Sequence, residues 1–220
     1  MENGEEPSAE HLSKTYGGAA IMLENIATVV RTYRAELQTA LDALTLHDVE
    51  AVAREILDAY ERGARIFVCG NGGSAATASH MACDLAKNTA FGATPRVHAH
   101  ALTDNTALLT ALANDLGYDQ IFSEQLVQAP IAASDLLIAI SGSGASPNVL
   151  RAVAVAHEAG ARVVGITGIG GGKLAPMADV AIVVASNSME IVEDVHLVAN
   201  HAITRAVRTV LQARRAVAIS

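Results

Sequence analysis

The sequence predicts an α/β fold: a three-layer sandwich around a five-stranded parallel sheet, with N-terminal helices before it and one long C-terminal helix after it. Three observations carry this prediction. Short, nearly continuous apolar runs alternate with stretches of helical periodicity, as in a parallel sheet buried on both faces. Hydrophobic residues make up 51% of the 220 but aromatics only 3%, with no Trp, so the core must be built from Ala, Val, Leu and Ile. Small-residue turns follow two of the apolar runs, where ligands bind in open α/β sheets.

Taken in order, residues 1–14 read as a flexible acidic tail and 15–215 as one domain. From Gly18 to Leu44 the apolar residues Met22, Ile26, Val29, Val30, Tyr33, Leu37, Leu41 and Leu44 fall at helical spacing. Such a helix is about 40 Å long, more than a small domain covers alone, which points to a partner subunit. A second helix runs over His47–Arg62 and is closed by Gly63. Ala64–Cys69, Arg96–Leu102, Leu136–Ile140, Arg162–Ile166 and Val180–Ala185 read as strands, separated by helices at 74–88, 105–114, 119–128 and 147–159. The last helix, Met189–Ala213, carries the apolar stripe Ile191, Val195, Val198, Ala202, Ala206 and Val210. Asn187 and Glu190 read as its capping pair. Acidic residues early and arginines late suit the helix dipole.

Composition excludes several classes. The net charge of −8 argues against a nucleic-acid partner, which wants a basic face and stacking aromatics. Cys69 and Cys83 are too few for a disulfide scaffold and lack metal-motif spacing; they read as small buried hydrophobes. No apolar run approaches the roughly 20 residues of a membrane span, and the polar N-terminus is no signal peptide. The expectation is a soluble, cytoplasmic protein.

The first unusual turn is Gly70-Asn71-Gly72-Gly73-Ser74, after ARIFVC. Its glycines let backbone amides approach a ligand closely. With Ala75 it fits G-x-G-x-x-A, but a dinucleotide site also needs an acidic residue about 20 positions on. Here the first candidate, Asp104, comes some ten residues later than that, so a nicotinamide enzyme is disfavoured. The second turn is Ser141-Gly142-Ser143-Gly144-Ala145-Ser146, after LLIAI. Ser146 suits an N-cap and Pro147 a first helical position. Hydroxyls and free amides would converge there on a phosphate-sized anion, with no Lys and no Walker loop.

Two helices carry titratable groups. His80 and Asp84, four apart, share one helix face and can hold a metal or share a proton. The last helix carries Glu193, His196 and His201. Glu193 and His201 stand about 12 Å apart along a helix axis, so one ion is not shared by both in mid-helix. Either Glu193 lies on a loosened first turn, or the groups come from different subunits. His196, next to the apolar stripe, reads as a core or interface histidine. His98 and His100 alternate on a strand, and no role follows for them.

The segments VCGNGGSAATASHMACDL, NTALLTALANDLGYDQIFSEQL, the serine turn with SPN, VVGITGIGGGKLA and EDVHLVANH occur in one order. Together they resemble the phosphoheptose isomerases (sedoheptulose-7-phosphate isomerases) of the sugar isomerase (SIS) domain superfamily, over about residues 18–210. The resemblance implies a five-stranded SIS sandwich and a homotetramer. It implies that Ser74, Ser141, Ser143 and Ser146 hold a sugar phosphate, with Gly72, Gly73 and Gly142 in the same turns and Asn71 and Asp115 near the sugar hydroxyls. It also implies a zinc or other divalent site at His80, Asp84, Glu193 and His201, with Asp84 and His201 as base and acid. The chain departs from the family at four of its positions. Asp84 stands for a glutamate, Glu193 for a glutamine, Glu190 for a shorter residue and Gly142 for a threonine. Asp84 is one methylene short, and a misplacement of about 1 Å can cost on the order of a hundredfold in rate. Glu193 adds a charge that strengthens a ligand set around a cation; without metal, Asp84 and Glu193 would repel and raise one another's pKa.

The expected activity is aldose–ketose isomerisation of a seven-carbon sugar phosphate through an enediolate. The alternatives are an isomerase of another sugar phosphate, such as a hexose phosphate, and a non-catalytic regulator of the same fold that binds a protein such as the replication initiator DnaA. Retention of Asp84, Glu193 and His201 argues against the regulator.

Overall fold

The computed structural model describes residues 26–89 and 95–219. The expected tail at 1–14 and the start of the first helix, 18–25, lie outside the described residues. The chain divides into a small unit, residues 1–36, and a large one, residues 37–220. The first helix, α1 (Ile26–Asp42), runs through the boundary.

In the large unit, α2 (Leu46–Glu61) starts at Thr45, whose hydroxyl accepts from the Asp48 N–H at 3.1 Å. It buries Val52, Ala53, Ile56, Leu57 and Ala59. Then follow β1 (Arg65–Cys69), α3 (Gly73–Asn88), β2 (His98–Ala101), α4 (Thr106–Asp115), α5 (Ser123–Gln128), β3 (Leu136–Ser141), α6 (Pro147–Glu158), β4 (Arg162–Gly168), the short α7 (Leu174–Met177), β5 (Val180–Val184) and α8 (Met189–Ile219). The five strands are all parallel, in the order β2-β1-β3-β4-β5. β3, with two strand neighbours and helices on both faces, is buried at all six positions, as the unbroken apolar run LLIAI before Ser141 requires.

Several elements differ from the sequence reading. β2 is shorter than Arg96–Leu102 and, among the described residues, pairs with β1 alone; His98 and His100 lie exposed on this edge. The helix expected at 119–128 is a 3₁₀ turn, Tyr118–Gln120, followed by α5, because adjacent Ile121 and Phe122 both turn into the core. The last helix begins at Met189 and is capped by Ser188, whose hydroxyl accepts from the Ile191 N–H (3.4 Å) and donates to Glu190 (2.8 Å). Ser188, not Asn187, is therefore the cap. The apolar stripe is corrected too. The buried face of α8 is Ile191, Val195, Ala199, Ile203, Val207 and Leu211. Val198, Ala202 and Ala206 are exposed and Val210 half-buried, on a second face.

One buried carboxylate fixes the start of the sheet. Asp135 is 3% exposed and accepts from the Arg65 N–H (2.9 Å), the Arg65 guanidinium (2.6 Å) and the Ala132 N–H (2.9 Å). Burial pushes its pKa up, but these hydrogen bonds outweigh that and hold it below the usual carboxylate range. Its stabilisation is full above the unfolded pKa of about 4 and is lost as pH falls through the depressed folded value. Asp135→Ala is expected to cost about 2 kcal/mol at pH 7. Denaturant titration should show the gap to wild type closing in strong acid. No helix among the described residues is long and apolar enough to cross a membrane.

Candidate active site

From β1 the chain moves outward to β2, while β3 lies on the other side of β1. The ends of β1 and β3 therefore flank a topological switch point, the crevice where open α/β sheets bind ligands. Both small-residue turns open there. A hollow of about 250 Å³ is lined by Asn71, Gly72, Gly73, Ser74, Ser141, Gly142, Ser143, Ser146, Met189 and Glu193. Nine of the ten positions expected to meet the substrate thus line one hollow; the tenth, Asp115, is exposed at the end of α4 and accepts from Asn114 at 2.7 Å.

The hydroxyls converge. Ser141 and Ser146 share a hydrogen bond at 3.0 Å, and Ser141 and Ser143 stand 3.5 Å apart. No side chain caps α3 at Gly72, and Ser146 spends no hydroxyl on capping α6. Two helix N-termini, each a weak positive pole, therefore face the hollow without a side-chain cap from their first residue. The serine turn is gripped from behind. Gly144 accepts from the Lys173 and Leu174 N–H groups at 2.8 and 2.9 Å, and Gly142 from that of Gly168 at 3.1 Å. A side chain on Gly144 would meet the Gly171 carbonyl at 2.4 Å, so the turn and the Gly170–Gly172 loop interlock only as glycines.

The titratable groups separate into two places. His80 and Asp84 on α3 meet His201 on α8. His80 Nε2 lies 3.5 Å from Asp84 Oδ2, His201 Nε2 lies 3.9 Å from the same oxygen, and the two imidazole nitrogens stand 3.4 Å apart. The donor atoms of all three lie within 4.8 Å of one another. Asn88 donates to Asp84 Oδ1 at 3.0 Å and so steadies the short carboxylate. Two imidazoles and a carboxylate turned toward one point fit a borderline divalent cation.

Glu193 does not join this group within one chain. α8 is regular from Met189, so there is no loosened first turn to bring it back. Its carboxylate stands over Gly73 instead: a Cβ there would come within 2.2 Å of Oε2. His196 is 1% exposed beneath β4, with neither ring nitrogen in a well-formed hydrogen bond among the described residues, and burial lowers its pKa against a smaller opposing effect of the nearby Thr167 backbone.

Three residues escaped the sequence reading. Asn148, Tyr118 and Met189 all border the crevice. Asn148 lay in view within SPN, but its partner is 77 positions away, and no local spacing shows such a pairing.

The chain resembles known proteins over most of its length. The SIS domain pattern matches residues 31–168 and again 118–220. A phosphoheptose isomerase of Mycobacterium tuberculosis (strain CDC 1551 / Oshkosh) is 40% identical over 186 residues, 84% of this chain and 94% of that protein. One from Thiobacillus denitrificans is 40% identical over 188 residues, covering 83% and 94%. Among solved structures, a phosphoheptose isomerase from Neisseria gonorrhoeae superposes with a TM-score of 0.77 at 33% identity, covering 84% of this chain and 99% of that one. Another, from Francisella tularensis, gives 0.76 at 27% identity, covering 84% and 98%.

Proposed function

This chain belongs to the phosphoheptose isomerases of the SIS-domain family, and on that footing we propose how it converts sedoheptulose 7-phosphate to an aldoheptose 7-phosphate. The phosphate sits in the serine hollow. Ser74, Ser141, Ser143 and Ser146 donate hydroxyl hydrogens to its oxygens, and the helix N-termini balance part of its charge. Asn71, at the rim of the hollow, meets the sugar hydroxyls, whereas Asp115 lies outside the hollow and takes no part in this reading. The carbonyl end lies toward His80, Asp84 and His201.

The chemistry is a proton transfer next to a carbonyl. Asp84 removes the proton from C1 of the ketose, and the electron pair moves to form the enediolate. His201 passes a proton between the oxygens on C1 and C2. The proton then returns to C2, which leaves an aldehyde at C1, and no atom is gained or lost. His80, Asp84 and His201 would hold a zinc or similar divalent ion, which when bound supplies Lewis-acid polarisation of the carbonyl. Asp84 has one oxygen toward the imidazoles and the other on Asn88, and the Asn88 contact keeps it from swinging away.

The single observation that carries this reading is the serine hollow at the switch point, walled by the same two helices, α3 and α8, that bear the His/Asp/His group. The direct test is turnover with product analysis on sedoheptulose 7-phosphate beside hexose and pentose phosphates. The expected result is preference for the seven-carbon substrate.

The protein works as a homotetramer in the cytoplasm, where phosphorylated sugars are retained. The exposed α8 face of Val198, Ala202, Ala206 and Val210, together with exposed Ile26, Val29 and Val30 on α1, supports assembly. Light scattering at micromolar concentration should give four times the chain mass; a clean monomer rules this out.

A further inference from the structure

Resting on the sugar-phosphate reading, the geometry points to Asn148 as a positioning residue: it releases the Ser146 hydroxyl for the phosphate and bolts the two ligand turns together through Asn71. The first half follows from capping. Ser146 is the N-cap of α6 and Pro147 its first residue, so the amides that an N-cap serine ordinarily binds are those of Asn148 and Val149, and Ser146 binds neither; the Val149 N–H already has a partner. That N–H donates instead to the Asn148 side-chain carbonyl, at 2.9 Å. Ser146 is left free of capping and turns to Ser141 in the hollow.

The second half follows from hydrogen-bond bookkeeping. Asn71 Nδ2 donates to Asn148 Oδ1 at 2.8 Å, and Asn148 Nδ2 donates to Asn71 Oδ1 at 2.8 Å. This reciprocal pair joins the turn after β1 to the first turn of α6. Its orientation has one solution. The Val149 N–H can only donate, so the Asn148 atom it meets is the oxygen, and Asn148 must present its NH₂ to the Asn71 oxygen. The Tyr118 hydroxyl then donates to the same Asn71 oxygen at 2.9 Å, closing the latch from the rim. Asn148 is 2% exposed, whereas Tyr118 is 60% exposed. A buried amide with every group committed holds its partners in one geometry. The turns that carry Ser74 and Ser146, both lining the hollow, are thereby held in one register.

Asn148→Ala is expected to raise the Kd for inorganic phosphate and the KM for sedoheptulose 7-phosphate by about tenfold or more, with kcat changed far less, since the residue touches no reacting atom. Calorimetry with inorganic phosphate and steady-state kinetics read the two constants, and thermal melting reads the fold. A drop in Tm with phosphate affinity and KM at wild-type values would overturn the proposal, because a merely structural residue behaves that way. If Asn148→Ala does not fold, Tyr118→Phe decides. It removes one hydroxyl at an exposed position, and a rise in KM of about threefold at unchanged kcat is expected. An unchanged KM overturns the proposal. Should the wild-type protein isomerise no sugar phosphate, the parent reading fails, while the latch is still judged on the affinity for inorganic phosphate.

Discussion

Ser143→Ala combined with Ser146→Ala is expected to raise KM for the sugar phosphate by about a hundredfold or more, with little change in Tm. A hydrogen bond to a charged group contributes about 1.5–3 kcal/mol, and each 1.4 kcal/mol is about tenfold in affinity. Two such bonds therefore set the scale. The small stability cost follows from the location. Ser143 is exposed and Ser146 half-buried, and their hydroxyls bond only within the turn: Ser146 to Ser141, and Ser143 accepting from the Ala145 N–H at 3.2 Å. The turn itself is held by backbone bonds from Gly168, Lys173 and Leu174, which the substitutions leave intact. A double variant with wild-type KM would make the serine turn structural only.

The second large effect is expected at the His/Asp/His group. Asp84→Ala should lower kcat by about a thousandfold, within the range for loss of a positioned acid–base group. Elemental analysis should find divalent metal in the wild-type protein and less in the variant, and chelation should abolish activity. Glu193→Gln provides the contrast. Because Glu193 stands over Gly73 and not beside the imidazoles, its neutralisation should leave the metal content unchanged. It should lower KM by removing a negative charge from the wall of a phosphate hollow. Full activity with no bound divalent metal would rule the metal out and leave Asp84 and His201 as a bare base and acid.

What the sequence revealed, and what it hid, follows from the range of the interactions. The parallel sheet was legible because a strand buried on both faces reads as a continuous apolar run, as in LLIAI. The two small-residue turns were legible because each directly follows an apolar run, and the structure brings them together around one hollow. The separation of Glu193 from His201 also followed from helical rise alone, and the structure keeps them in different places. The hidden features depend on contacts distant in sequence. The capping role of Ser146 is local, but Asn148 overrides it. Glycines 170–172 look like an ordinary loop until Gly144 is seen against Gly171. The α8 stripe was misread because alanines and valines occupy two faces of the helix. Periodicity cannot say which face the sheet covers and which is left for a partner.

The central claim is that a phosphate held in the serine hollow presents a ketose to a base and an acid for proton transfer. Incubation of the purified protein with sedoheptulose 7-phosphate in deuterated water, followed by NMR, tests it most directly. The account predicts an aldoheptose 7-phosphate with deuterium at C2, lost when Ser143 and Ser146 are both alanine and when Asp84 is alanine. Tight binding of the sugar phosphate with neither product nor exchange would contradict it, and would make the chain a sugar-phosphate-binding protein instead of an isomerase.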